Sequence, residues 1–213
     1  MKKLFGFWLP YYILKIFFLR KINIEVEGLR NIPQKHGFII ASNHEHSWDP
    51  MLIASALKRH VHFFSIDSNF TRTFSSKKWL SELETLIFKD SISGFFLRVT
   101  QQIPVSYKNE KINSKAFLKA SFYLSKKEII GIFPEGELKL KKKKIFPGAA
   151  ILAQRSKAKI LPVCIGTNAS SDSFLKPNFT KVKISIGEPL KFSKSVDYTK
   201  KIVMKEIYKL KND

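Results

Sequence analysis

Residues 37–59 read GFIIASNHEHSWDPMLIASALKR, and the order of residue types in this stretch decides the fold. Residues 37–42 are a short apolar run of the kind that enters a buried strand. Asp49 and Pro50 then open an apolar stretch, and proline at the first helical turn is a helix-start signal. The reading is strand, polar turn, helix. The same alternation recurs along the chain. Strands are predicted at 22–28, 37–42, 61–66, 103–107, 128–133, 159–165 and 181–187. Helices are predicted at 50–59, 76–88, 113–126, 147–156 and 195–210. Such alternation implies an α/β fold, a single domain with a mixed, mostly buried β-sheet flanked by helices. No repeat or low-complexity linker divides it. The expected organisation is a membrane-interacting N-terminal segment, 1–21, followed by one domain, 22–213.

A chain of 213 residues is long enough to bury a substantial core, and its 44% hydrophobic content fits a globular protein. The formal net charge of +21 favours anionic partners: nucleic acid, anionic lipid headgroups or phosphate-bearing substrates. The single Cys164 excludes an intramolecular disulfide framework and a multi-cysteine zinc site. Its apolar neighbours in LPVCIG mark it as a buried thiol rather than a nucleophile.

The first residues read MKKLFGFWLPYYILKIFFLR. Basic residues flank an aromatic-rich apolar stretch that has no small-residue cleavage site behind it, unlike a secretory signal. Pro10 and Lys15 interrupt it, and it falls short of the roughly 20 apolar residues of a spanning helix. Trp8, Tyr11 and Tyr12 are types that favour the membrane interface. The expectation is two short segments around Pro10 lying in the cytoplasmic leaflet of the cell membrane, with basic residues on an anionic surface. One tilted span is the alternative, and an ordinary core helix the plain one.

The polar turn in the opening stretch carries the chemistry. His44 and Asp49 are five residues apart, which on one continuous helix would separate them by about 140°. On a turn leading into a helix, the chain folds back and brings carboxylate to imidazole. Acyl transfer to an alcohol needs a base that takes the hydroxyl proton as the oxygen attacks a carbonyl, and histidine serves at neutral pH. A carboxylate on the other ring nitrogen fixes the tautomer and stabilises the imidazolium. The plain alternative is an Asp49 that merely caps the helix and a His44 in a loop. His44 and His46 lack the further ligands of a metal site, and the chemistry requires no cofactor.

A second turn follows the strand at 128–133. Phe133, Pro134, Glu135 and Gly136 form a turn sequence in which glycine admits unusual dihedrals. Such a turn presents backbone N–H groups and one carboxylate at the edge of a sheet. It is equally an ordinary loop when read by itself.

Together the two turns resemble the glycerolipid acyltransferase family, whose best-known members are 1-acylglycerol-3-phosphate acyltransferases. The family's first block is N-H, four residues, then D, matched by Asn43, His44 and Asp49. Another is F-P-E-G, matched by Phe133 to Gly136 about 90 residues later. A Gly-Ala-Ala helix start fits Gly148, Ala149 and Ala150, and a proline between apolar residues on a strand fits Leu161, Pro162 and Val163. The resemblance implies that His44 is the general base and Asp49 its partner. It implies that Asn43, Phe133, Pro134, Glu135 and Gly136 bind substrate. It implies an acyl thioester donor, acyl-CoA or acyl carrier protein, and a lysolipid acceptor, most plainly 1-acylglycerol-3-phosphate.

Two stretches depart from the family. After the F-P-E-G block, where the family usually continues Thr-Arg-Ser, this chain has Glu137, Leu138 and Lys139. Where an arginine that contacts the acceptor's phosphate is expected, this chain has Tyr107, followed by Lys108. Lysine lacks arginine's planar bidentate fork. Lys108 and Arg98 are the candidates for anion contacts, and another lysolipid or an aminolipid becomes an alternative acceptor. The lysine-rich run at 139–144 is either a further anion contact or a solvated loop. A basic non-catalytic protein that binds membrane or nucleic acid is the competing class. Nucleic acid is not expected as a partner, because no aromatic-and-basic single-strand platform is evident. Acyl hydrolysis ranks last, since no nucleophile-elbow pattern surrounds Ser47.

Overall fold

The structure is a computed structural model describing residues 22–66, 97–98, 100–105, 107–108, 111–112, 114–136, 145–168 and 180–212. Its strands are β1 (Asn23–Glu27), β2 (Ile39–Ser42), β3 (Val61–Ile66), β4 (Ile103–Val105), β5 (Tyr107–Lys108), β6 (Lys111–Ile112), β7 (Ile129–Ile132), β8 (Ile160–Thr167) and β9 (Lys181–Ile186). Its α-helices are α1 (Asp49–Leu57), α2 (Ser114–Ser125), α3 (Gly148–Ser156) and α4 (Val196–Asn212). A short 3-10 turn at Leu29–Asn31 follows β1. The N-terminal segment 1–21, the helix predicted at 76–88 and the lysine-rich run at 139–144 lie outside the described residues.

Seven strands form one sheet in the order β1-β9-β8-β2-β7-β3-β4. Every neighbouring pair is parallel except β8 and β9, so the sheet is mixed, as expected. A parallel sheet is covered on both faces, and its strands read as nearly unbroken apolar runs. β2 and β7 are buried at every position. Alternate side chains serve opposite layers. Ile39, Ile130 and Ile160 face α2, α3 and α4, which contribute Phe117, Leu152 and Ile207. Phe38, Ile40 and Leu161 face α1 with its Leu52 and Ile53. Each such fully buried side chain stabilises the fold by about 1.5–3 kcal/mol relative to exposure.

Proline in a central strand removes a ladder donor, yet Pro162 sits in β8, paired with Ala41 of β2. Its carbonyl accepts the N–H of Gly187 at 2.9 Å. A residue's N–H and C=O point to the same side of a strand, so the missing donor faces β9 rather than β2. The β8–β9 register begins only at Val163 and Ile186. The position therefore loses no bond to β2.

The strand predicted at 103–107 divides. β4 ends at Val105, and β5 pairs with β6 as a separate antiparallel hairpin, Tyr107 opposite Ile112 and Lys108 opposite Lys111. Local composition does not mark that break.

His62, at 0% exposure, shows what a histidine does as a structural brace. Its Nδ1 bonds the Gln101 carbonyl at 2.9 Å, its Nε2 lies 2.6 Å from Glu128 Oε2, and its ring stacks on Tyr123 at 3.8 Å. It ties the approach to β4 and the start of β7 to β3.

Gly131 of β7 lies opposite Phe63 of β3. A side-chain carbon at Gly131 would collide with the Phe63 ring, which is buried. Gly131→Ala is expected to destabilise the protein by about 1–3 kcal/mol through overpacking. At Gly166 the added carbon would meet only the Lys183 carbonyl at 4.0 Å, so Gly166→Ala should stay within about 0.5 kcal/mol. Urea denaturation midpoints of the two variants check this contrast.

Candidate active site

The first turn emerges from the carboxyl end of β2 and the second from the carboxyl end of β7. These strands are adjacent and parallel, with Ala41 opposite Ile132. The two turns therefore leave the sheet side by side, although 91 residues separate His44 from Glu135. Open α/β sheets hold ligands at this end of their strands.

β8, the other neighbour of β2, runs on to Thr167 after pairing Val163 with Ser42. Its overhang clamps the first turn. Asn43 donates from Nδ2 to the Ile165 carbonyl and accepts the Ile165 N–H at Oδ1, both at 2.8 Å. His46 Nε2 lies 2.8 Å from Thr167 Oγ1. Asn43 is 2% exposed and its amide is spent on backbone, so it shapes the turn.

Asp49 begins α1, but its side chain turns back instead of capping the helix. The residue at the cap position is Trp48, with no side-chain cap bond. Asp49 Oδ2 accepts the backbone N–H of Glu45 at 2.7 Å and that of His46 at 2.9 Å. The same oxygen lies 2.8 Å from His44 Nδ1. The carboxylate is fully buried. Three donors on one oxygen, together with the positive end of the α1 dipole, offset the cost of burying the charge. The proton of the neutral imidazole is assigned to Nδ1, because Asp49 Oδ2 is an acceptor. Nε2 is then left with its lone pair, and no described residue bonds it. The imidazole side chain is 14% exposed, so Nε2 can be reached by a small group or chain end.

Phe133 holds the ring from one face, stacked at 4.0 Å with 12° between the planes. Phe63 stacks behind Phe133 at 5.4 Å. The turn that carries Phe133 is closed by Gly136, at φ 79°, whose N–H bonds the Phe133 carbonyl at 3.0 Å. Glycine adopts that dihedral without strain. The Pro134 carbonyl accepts the Phe146 N–H at 2.7 Å, fixing the approach to α3. Glu135 is 3% exposed. Its Oε2 accepts the backbone N–H of His44 at 3.1 Å, and its Oε1 accepts the hydroxyl of Tyr208 at 2.8 Å.

Seven of the residues singled out by sequence thus come together: Asn43, His44, Asp49, Phe133, Pro134, Glu135 and Gly136. The backbone of Lys108 follows β4 at the same end of the sheet, and its side chain lies outside the described atoms. Arg98 is not part of this cluster. It is exposed and precedes β4, next to Thr100, whose carbonyl bonds His60 at the start of β3. That is the end of the parallel strands opposite His44.

The residues that sequence reading missed are Tyr208, Lys211 and Thr167. Lys211 Nζ donates to Glu45 Oε1 at 2.8 Å. That bond is the largest cause of the raised Lys211 pKa. Desolvation, followed by the bond to Glu135, pushes the Tyr208 phenol up to about 12. Cys164 is buried and pushed up to about 11, chiefly by that burial, which makes it a thiol rather than a thiolate nucleophile. Among the described residues no group of three or more His, Cys, Asp or Glu is placed to hold a metal ion.

A cleft of about 500 Å³ opens at the far end of the sheet, between His36, Lys127, Arg155 and Lys157. α2 and α3 both end there, and cations at helix C-termini are favoured by the helix dipole. Its basic lining therefore has a local explanation. The His44–Asp49 pair lies at the other end.

A family model described as Acyltransferase matches residues 23–166. The 1-acyl-sn-glycerol-3-phosphate acyltransferase of Bacillus subtilis (strain 168) is 27% identical over 179 residues, covering 83% of this chain and 78% of its own length. The crystal structure of PlsC, the 1-acyl-sn-glycerophosphate (LPA) acyltransferase of Thermotoga maritima, aligns with a TM-score of 0.58 at 19% identity, over 100% of this chain and 79% of that one. The structural likeness shows a shared fold. The Bacillus subtilis relative bears the name of the best-known members of the family that the two sequence blocks resemble. The family-model match spans well over half of the sequence, and the chain belongs to the acyltransferase family.

Proposed function

We propose that this acyltransferase moves a fatty acyl group from an acyl thioester, carried on coenzyme A or acyl carrier protein, to the hydroxyl of a lysolipid. The foremost acceptor is 1-acylglycerol-3-phosphate, giving phosphatidic acid. The observation that carries the reading is the His44–Asp49 pair, with Nδ1 held at 2.8 Å and Nε2 left to face a substrate.

The acceptor hydroxyl approaches Nε2, which takes its proton as the oxygen attacks the thioester carbonyl. The C–S bond of the resulting tetrahedral species then breaks. The thiolate leaves and recovers the proton from the imidazolium, so the products are a diacyl lipid and a free thiol. Asp49 stabilises the imidazolium between these steps without itself accepting the proton. The nucleophile is the acceptor's own oxygen, in keeping with a site whose one described thiol is buried and protonated.

A second acceptor class is favoured by one feature of the chain. Tyr107 stands where the family carries a phosphate-contacting arginine, and phenol offers neither its charge nor its fork. A lysolipid without a free phosphomonoester, or a lyso-aminolipid, fits that change. The N-terminal segment 1–21 is the proposed anchor to the cytoplasmic face of the cell membrane, through its aromatic and basic residues.

Three outcomes are expected with the full chain in detergent micelles or on vesicles. In a radiolabelled acyl-transfer assay, His44→Ala lowers turnover by about 10² to 10⁴, and Asp49→Asn lowers it without altering vesicle binding. Transfer by His44→Ala equal to wild type would remove His44 from the mechanism. Offered acceptors with and without a free phosphomonoester, the wild type either prefers 1-acylglycerol-3-phosphate or reveals the changed acceptor that Tyr107 points to. In flotation assays the chain binds anionic vesicles more strongly than neutral ones, and salt weakens the difference; equal binding to both would count against the electrostatic anchor.

A further inference from the structure

We infer that α4 is a positioning element of the active site, with Tyr208 and Lys211 holding the catalytic turn through Glu135 and Glu45. The inference rests on the catalytic reading of His44 given above. It adds two residues from the last turns of the chain, far in sequence from either motif.

The two side chains are three residues apart and so share one face of α4. Val203, Met204 and Ile207 of the same helix are buried in the core and fix its height against the sheet. From that base Tyr208 reaches Glu135 Oε1 at 2.8 Å, while Glu135 Oε2 accepts the backbone N–H of His44 at 3.1 Å. Lys211 reaches Glu45 Oε1 at 2.8 Å, and the backbone N–H of Glu45 donates to Asp49 Oδ2 at 2.7 Å. Two neighbouring residues on one helix thus address two consecutive residues of the turn, each through a glutamate.

Packing alone does not call for this arrangement. An apolar side chain at 208 would cover the same surface, whereas a carboxylate at 3% exposure needs donors. Tyr208 and the His44 N–H supply one to each oxygen. Residues 43–48 belong to no strand or α-helix, so their dihedrals depend on such bonds. A change at His44 N–H turns the backbone from which the imidazole projects, and with it the direction of Nε2. With its phenol pushed up to about 12, Tyr208 remains a donor throughout the neutral range.

The two contacts differ in weight. The Tyr208 bond ends on a buried carboxylate. The Lys211 bond joins side chains 50% and 27% exposed, where solvent and salt screen it. Neither residue touches a reacting atom, so both act through the groups they hold.

The test compares Tyr208→Phe with Tyr198→Phe, which removes the same hydroxyl from an exposed tyrosine in the first turn of the same helix. Hydrogen exchange at the His44 amide and steady-state kinetics are measured on the full chain in micelles. Tyr208→Phe is expected to speed His44 exchange about tenfold and to lower kcat about tenfold, with the donor KM within about twofold, as misorientation of a base affects the chemical step. Tyr198→Phe should leave both values near wild type. Lys211→Met should lower kcat by less than about threefold, with Lys211→Arg restoring it. Unchanged exchange and kcat in Tyr208→Phe would overturn the inference, as would equal changes in Tyr198→Phe. Absence of transfer by wild type would instead overturn the functional reading, and the exchange comparison would still decide the tether.

Discussion

One oxygen atom organises this site. Asp49 Oδ2 accepts the His44 imidazole and the N–H groups of Glu45 and His46, at 2.7–2.9 Å and at zero exposure. A buried carboxylate with fewer donors would be costly, so the chain between 44 and 49 must curl around it. That curl makes the turn, begins α1, fixes the imidazole tautomer and leaves Nε2 without a bond to any described residue. Shape and chemistry follow from the same three bonds.

The sheet supplies what the turn cannot. Level registration of β2 with β7 places the Phe133–Gly136 turn against His44, and the overhang of β8 offers Ile165 and Thr167 to Asn43 and His46. Packing within the sheet reaches the ring as well. Gly131 leaves room for Phe63, Phe63 lies against Phe133, and Phe133 lies against His44. The imidazole is thus held by a polar partner on one nitrogen and an aromatic stack on one face. This is the preorganisation expected of a base that must meet its substrate in one orientation.

Much of the fold was legible because a parallel sheet writes itself as apolar runs. The runs at 37–42, 61–66 and 159–165 announced β2, β3 and β8 to within about two residues. Strand order was not legible, since nothing local records that β7 inserts between β2 and β3. Nor was the break after Val105, where β5 turns away to pair with β6. Within the site, His44 and Asp49 could be found because residue type and short spacing together imply a turn that joins them. Tyr208 could not. Its partner lies 73 residues away, and only the docking of α4 creates the contact. Arg98 shows the reverse limit of local reading: its charge is suited to an anion, but topology places it at the end of the strands opposite His44.

The proposed chemistry turns on which nitrogen of His44 carries the proton. Long-range ¹H–¹⁵N correlation spectra of the ring, recorded with the imidazole neutral, decide it most directly. The wild type should show a protonated Nδ1 and an unprotonated Nε2, with the Nε2–H form appearing when Asp49 is replaced by Asn. A wild-type ring protonated at Nε2 would contradict that chemistry, because His44 could then accept no proton from a hydroxyl at its open side.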